Sequence, residues 1–489
     1  MKARPYQAAA LDEIRSLYAQ GTKKVLLWLP TGAGKTFCFC DILKSAHKKG
    51  KRAIMVVSGA SLVDQASVRL DMQGVPHGVH QANHWRRMPD EPIQICSIHT
   101  LYKRKIVPDA DLVVIDEAHL AASPSFLWLF DHYKDAFFLP VTATPYLKRG
   151  LRHIAEAIVH PISMGELIEQ GYLVSARYYI PSKLDLSRVE IDSTTKDYRQ
   201  SQLAETMKDA ALYGDMVDSY RRYAENRPSI LFAVNVEHSL EIVDIFNAAG
   251  IAAAHIEAST PAAKRTETIQ ALINGSIKVL SNVGILTTGV DIPAVSCIIM
   301  ARPTKSYNLY IQALGRGTRP HPGKSDFIVL DHANNIIEHG LIENERKVNL
   351  DGVITKPPEE AIVICAECFC AFSPFAVKPR SYSCPKCGHD NRQKKIEEEP
   401  RERNVVTDTH AEMVEVKTQE DIQTARIERY IQEQVNRARA RGYKPGWVFF
   451  RVKDQFGEKV AKKYGGKIKA SFISAESRYL GFTDHPGFE

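Results

Sequence analysis

No stretch of this sequence approaches the roughly 20 consecutive apolar residues a helix needs to cross a bilayer. Met1-Lys2-Ala3-Arg4-Pro5-Tyr6-Gln7 leads straight into a polar amphipathic stretch rather than an apolar targeting segment. The expectation is a cytoplasmic protein with no membrane partner. A strong charge bias is missing too: a net charge of +7 over 489 residues does not by itself point to a partner. Cysteine is sparse except in one place. Cys38, Cys40, Cys96 and Cys297 lie scattered among apolar residues, whereas Cys365, Cys368, Cys370, Cys384 and Cys387 crowd into 23 positions. An odd total of nine, with two Cys-x-x-Cys pairs and no secretory segment, argues against a disulfide framework and for a metal site. With 44% hydrophobic and 25% charged residues, the composition excludes a fibrous or largely disordered chain.

What is present begins with length. At roughly 150 residues per domain, 489 residues predict about three domains. Short β-branched runs at Val25 to Leu29, Ala53 to Val57, Ile93 to Ser97, Leu112 to Asp116 and Phe137 to Thr142 each end at a polar or glycine-bearing loop. They alternate with helix-like segments, the pattern of parallel strands with crossover helices. A second series follows at Ile230 to Val234, Ile251 to Ile256, Ile277 to Ser281, Cys297 to Met300 and Phe327 to Asp331, with a helix over Glu237 to Ala249. The glycine-bearing stretch Pro161 to Tyr172 marks the boundary, and the polar stretch Ser182 to Gln202 reads as an insertion or linker. The expected fold class is therefore α/β: two tandem parallel-sheet lobes over residues 1–165 and 166–350, a cysteine module over 361–392 and a small basic domain over 405–489. Lys356-Pro357-Pro358-Glu359-Glu360 and the charged run 394–401 separate the later parts.

The loop after Leu29, Thr31-Gly32-Ala33-Gly34-Lys35-Thr36, has the composition of a phosphate cradle. Gly32 and Gly34 let backbone amides approach oxygens, Lys35 reaches toward β and γ phosphates, and Thr36 is placed to ligate Mg²⁺ at the start of a helix. The strict pattern asks for glycine five residues before Gly34, where Leu29 stands. Asp116 ends the strand Leu112-Val113-Val114-Ile115, which puts its carboxylate at the sheet's carboxyl edge beside that loop, able to hold Mg²⁺ with Thr36. Glu117 then falls next to the γ phosphate, where it can orient and deprotonate an attacking water. Far downstream, Gln312-Ala-Leu-Gly315-Arg316-Gly-Thr-Arg319 offers two arginines three residues apart. On a helix they would share a face and project together toward a transferring phosphoryl group. A nucleotide held by the first lobe and closed over by the second is the arrangement of a motor.

These motifs, in this order over residues 4 to 331, resemble those of the superfamily 2 helicases, which implies RecA-like lobes, ATP with Mg²⁺, and a nucleic-acid track. Arg4-Pro5-Tyr6-Gln7 resembles the adenine-reading segment, which makes Gln7 the adenine contact. Ser58 to Gln65 and Ser97 to Leu101, with Gln65 and Thr100, match segments that grip the nucleic-acid backbone. Thr142-Ala143-Thr144 resembles the segment coupling hydrolysis to strand binding through His119. Val283 to Asp291 resembles the second-lobe motif touching strand and nucleotide, with Thr287 and Thr288 toward the strand and Asp291 toward the nucleotide. Gln312, Arg316 and Arg319 match the last motif. Leu29-Pro30-Thr31-Gly32-Ala33-Gly34-Lys35, Leu286-Thr287-Thr288-Gly289 and the cysteine module resemble RadD-type repair proteins and phage-encoded helicases.

Cys365-x-x-Cys368 and Cys384-x-x-Cys387, 15 residues apart, have the spacing of a tetrahedral Cys₄ zinc ribbon, with Cys370 and His389 as spare ligands. From Arg437 to Lys469 there are eleven Lys or Arg against Asp454 and Glu458. Tyr443, Trp447, Phe449, Phe450 and Phe456 interleave with them, as a strand-binding surface or as the core of a small domain. The helical stripe Ile427, Ile431, Val435 reads as a packing face ending by Gly442. The reading is an ATP-dependent DNA helicase or translocase of replication, recombination or repair, cellular or phage-encoded, with replication or repair proteins as partners. RNA remodelling, the motor subunit of a restriction system and a nucleotide-switched zinc protein that binds nucleic acid are the alternatives. An Asp with Glu-x-Lys nuclease constellation is missing, which argues against cutting by this chain.

Overall fold

The computed structural model describes residues 3–58, 60–81, 84–121, 123–147, 150–181, 189–192, 197–207, 210–287, 291–353, 362–364, 371–372, 382–383, 388–390, 413–417, 419–441 and 443–479. They fall into two compact units, one spanning 1–362 with 399–416, the other 363–398 with 417–489.

The first unit holds both lobes. In lobe 1 the strands are β1 (Val25–Trp28), β2 (Ala53–Val57), β3 (Gly78–His80), β4 (Ile93–Ser97), β5 (Leu112–Asp116), β6 (Phe137–Thr142) and β7 (Ala157–Val159). They form one parallel sheet in the order β3-β4-β2-β5-β6-β1-β7. Its helices are α1 (Pro5–Ala19), α2 (Lys35–Lys48), α3 (Ala60–Met72), α4 (Ile98–Arg104) and α5 (Pro124–His132). β1, β2 and β4 are buried along their whole length, as strands covered on both faces require. After α6 (Met164–Glu169), lobe 2 has β8 (Ser175–Pro181), α7 (Gln200–Met207), α8 (Ala210–Ala224), β9 (Ser229–Phe232), α9 (Val236–Ala248), β10 (Ala253–Ile256), α10 (Ala262–Ile273), β11 (Val279–Asn282), β12 (Cys297–Met300), α11 (Tyr307–Leu314), β13 (Asp326–Asp331) and α12 (Asn335–His339). Its parallel order is β10-β11-β9-β12-β13-β8, and the strand Met413–Lys417 adds antiparallel to β8.

In lobe 1 a strand order that runs outward from the middle leaves a crevice at the carboxyl edge, where the loops after β1, β5 and β6 collect. The chain then returns to lobe 1. A hairpin of β14 (Val348–Asn349) and β15 (Gly352–Val353) packs Val348 and Leu350 on the lobe 1 core beside Leu151. The Leu151 amide donates to the Leu350 carbonyl at 2.7 Å, and Arg152 pairs with Asp351 at 2.6 Å.

In the second unit, α13 (Gln419–Ala440), α14 (Pro445–Phe456) and α15 (Glu458–Tyr479) enclose their own core. Ile427, Ile431 and Val435 bury there as the stripe requires, and Trp447, Phe449 and Phe456 pack against them. Most of the aromatics in this segment thus serve packing, while Tyr443 and Phe450 stay exposed. Cys365, Cys368, Cys370, Cys384 and Cys387, the cysteines of the expected zinc module, lie outside the described residues. No helix among the described residues is long and apolar enough to cross a membrane.

Candidate active site

The phosphate-cradle sequence folds as its glycines demand. Gly32 and Gly34 both take φ of +85°, a left-handed conformation in which a side chain would be strained. A Cβ on Gly34 would also lie 2.5 Å from Gln7 Nε2. Gly34 caps α2, so Lys35 and Thr36 open that helix with its unpaired amides toward the crevice. Lys35 Nζ rests 3.5 Å from the Leu29 carbonyl. Burial disfavours its charge most, with Arg319 and Arg316 adding to the effect and Glu117 and Asp116 opposing it; the net shift is downward.

Asp116 ends β5 and accepts the Glu117 amide at 3.0 Å. Burial and then the negative charge of Glu117 raise its carboxyl to about 6, against the pull of Lys35 and Arg69. Two adjacent carboxylates in a desolvated crevice, one of them reluctant to ionise, are a donor set that gains from a divalent cation, so the residues present fit Mg²⁺. Glu117 has φ of +53°, an uncommon backbone for a non-glycine residue. Burial would raise its carboxyl, yet the hydrogen bond from His119 and the charges of Lys35, His119 and Arg316 outweigh burial and hold it below the usual range.

Around His119 the crevice forms a continuous polar chain. His119 Nδ1 lies 3.4 Å from Glu117 Oε2 and 3.3 Å from Thr142 Oγ1. Thr142 Oγ1 accepts the Thr144 amide at 3.0 Å. From lobe 2, Gln312 Nε2 reaches His119 Nε2 at 3.3 Å and Thr144 Oγ1 at 3.4 Å. Glu117, Thr142 and Gln312 thus meet around one imidazole, and Thr144 bonds to Thr142 and Gln312 beside it.

The two arginines correct the sequence reading in one respect. α11 stops at Leu314 with Gly315 as its cap, so Arg316 and Arg319 follow the helix instead of riding on one face of it. Two glycines within three residues disfavour continuation. Both arginines nevertheless line the same cavity as Thr31, Lys35, Asp116 and Glu117, about 430 Å³ in volume. The Arg316 guanidinium donates to the Thr287 carbonyl, and Arg319 pairs with Asp291. Lobe contact here is close: a Cβ on Gly315 would sit 2.7 Å from Thr31 Cβ.

Other expected residues are placed less simply. Gln7 is buried, its oxygen accepting the Arg4 amide and its nitrogen donating to the Ala33 carbonyl, both at 3.0 Å. Gln65, expected on the nucleic-acid side, lines the cavity. Thr100 is half-buried on α4, and Thr287 is buried with its hydroxyl on the Gly284 carbonyl at 3.0 Å. Thr288 lies outside the described residues. Sequence reasoning missed Arg69, whose Nη1 is 3.9 Å from Asp116, and Tyr172, over whose ring Arg4 lies at 4.8 Å. A lone arginine on α3 and a tyrosine in a boundary loop carry no motif, so only the fold brings them here.

Comparisons with known proteins follow the same outline. Residues 1–147 match the family "Type III restriction enzyme, res subunit", and residues 211–321 match "Helicase conserved C-terminal domain". A "51.5 kDa protein" of Lactococcus phage (isolate 7-9) is 28% identical over 368 residues, 74% of this chain and 77% of the relative. The Saccharomyces cerevisiae protein named "Putative ATP-dependent helicase IRC3" is 28% identical over 67% of this chain, and the match spans about half, 51%, of that relative. A fragment structure of an HsdR subunit of a type I restriction enzyme from Vibrio vulnificus YJ016 shares the fold, with a TM-score of 0.53 at 20% identity, over 71% of this chain and 66% of that one.

Proposed function

This chain belongs to the superfamily 2 helicases, a family of ATP-hydrolysing motors, and we propose that it moves along or remodels DNA. The observation that carries the proposal is the polar chain through His119, which ties Glu117 to both lobes. Lys35 and the amides opening α2 would bind the phosphates, and Thr36 and Asp116 would hold Mg²⁺, which supplies charge neutralisation at the β and γ oxygens. Glu117, kept as a carboxylate, orients water and takes its proton. Arg316 and Arg319 would stabilise charge on the transferring group. Any shift of Gln312 with lobe 2 changes the hydrogen bonds of His119 and Thr144, so strand binding across the lobes can be felt at Glu117.

The preference for DNA is supported by the match to a restriction-enzyme family and by the resemblance to repair and phage helicases of the RadD type. The same match favours one second reading, the motor subunit of a restriction system. The finer reading of the cysteine module is a structural zinc on Cys365, Cys368, Cys384 and Cys387, and the basic helical unit is an accessory domain; both rest on sequence. The test is phosphate release with no nucleic acid, single-stranded DNA, RNA or duplex. DNA should stimulate it most. Stimulation by RNA alone would turn the reading to an RNA remodeller, and equal unstimulated rates would sink the motor.

A further inference from the structure

The loop between β3 and β4 presents a tryptophan that the crevice does not use. Trp85 is 79% exposed, yet the residues around it are tied down. Residues 86–88 run back along the outer edge of β3: the Val79 amide donates to the Arg86 carbonyl at 2.9 Å. A Cβ on Gly78 would lie 2.2 Å from the Met88 carbonyl oxygen, so this return needs glycine. The Gln94 side-chain amide donates to the Met88 and Glu91 carbonyls at 2.7 and 2.8 Å. On the inner side, the Arg86 guanidinium donates to Asp71 at 2.6 Å and to Ser67 at 3.3 Å, both on α3. His84 meets Asp64 at 2.8 Å.

Asp64 lies within the 58–65 segment that resembles a backbone-gripping motif. Because β3 and β4 run parallel, the loop leaves β3 at the sheet edge where the loops after β2 and β4 also emerge. Trp85 therefore stands at that edge, rigidly held, with the Arg86 guanidinium 4.8 Å from its ring centroid. Asp64 and Asp71 on α3 are engaged by His84 and Arg86, and further basic side chains lie nearby. Arg87 is exposed, and α4 ends in exposed Lys103 and Arg104, followed by exposed Lys105. His80 joins the two segments, its Nε2 3.0 Å from the Ile106 carbonyl. Burial, then the nearness of Arg87 and Arg104, disfavours a proton on it. The loop's own acids, Asp90 and Glu91, come after the Met88 tether.

We propose that Trp85 is a base-stacking platform for single-stranded nucleic acid, with Arg87 and Arg104 on neighbouring phosphates, extending the strand path outward from the 58–65 segment. An indole face accepts any base, and cations beside it neutralise the backbone without reading sequence. The proposal rests on the nucleic-acid track inferred above.

The test is the affinity of the full chain for a single-stranded DNA oligonucleotide, for RNA of the same sequence, and for a DNA in which abasic sites replace several nucleotides. Trp85→Ala should weaken binding to the intact DNA roughly 5- to 150-fold, and Trp85→Phe should restore most of it. The abasic strand should bind wild type more weakly and should show little further loss with Trp85→Ala. A Trp85→Ala protein that melts like wild type and binds intact single strands as tightly overturns the platform and leaves the motor standing; the patch would then face a protein. A larger loss on the RNA arm would assign the platform to RNA. Wild type that binds no single strand overturns both.

Discussion

Gly315 offers the sharpest perturbation of the crevice. A Cβ there would lie 2.7 Å from Thr31 Cβ and 2.8 Å from Thr31 Cγ2, atoms of the opposite lobe, and 3.0 Å from the Ile311 carbonyl of its own helix. Its φ of −59° and ψ of −15° suit any residue, so alanine adds contact rather than backbone strain. Overpacking of this kind costs about 1 to 3 kcal/mol. The molecule can relieve it by parting the lobes, which leaves both cores intact. At one decade per 1.36 kcal/mol, Gly315→Ala should lower kcat/KM for ATP roughly 5- to 150-fold, with little change in melting temperature. Gly317→Ala is the contrast. Its Cβ would lie 2.2 Å from Phe327 Cδ2, inside lobe 2, so it should lower the melting temperature first. The assay is steady-state phosphate release over a range of ATP concentrations with saturating single-stranded DNA, alongside thermal unfolding. An unchanged kcat/KM in Gly315→Ala would refute the idea that catalysis needs this lobe contact.

Further outcomes can be checked singly. Lys35→Ala should abolish hydrolysis, and Glu117→Gln should bind ATP and fail to release phosphate; normal turnover by Glu117→Gln would remove the assigned base. Burial raises Asp116 to about 6. A proton and a cation therefore compete for it, and Mg²⁺-dependent nucleotide binding should weaken as pH falls below about 6, measured by titration from pH 5 to 8; a flat profile would reject Asp116 as the metal ligand. The sign for folding is opposite: the folded chain holds this proton more tightly than the unfolded one, so ionising Asp116 between about pH 4 and 6 removes stability. Zinc analysis should find one ion per chain, lost in a Cys365→Ser, Cys368→Ser double variant; metal-free protein would end the zinc reading.

Much of the motor was legible because its signals are local. Strands ending in a glycine loop or an acidic pair follow from period and punctuation, and β2, β4, β5 and β6 keep the predicted limits. β3 and β7 were not legible, since three residues each are too short to show a period, and β8 lay unassigned between the boundary stretch ending at Tyr172 and the polar stretch starting at Ser182. The end of α11 depends on packing: Gly315 and Gly317 serve close approach to Thr31 and Phe327, which the spacing of two arginines does not encode. Arg69 and Trp85 belong to no repeat. Their positions follow from how α3 and the β3–β4 loop meet, a matter of tertiary contact.

The central claim is that hydrolysis in the crevice drives movement along a strand, and displacement of streptavidin from a biotin-ended single-stranded DNA measures it most directly. Displacement that requires ATP and fails in Glu117→Gln is the predicted result. ATP hydrolysis that proceeds on the same DNA while streptavidin stays in place, whichever end carries the biotin, would contradict it.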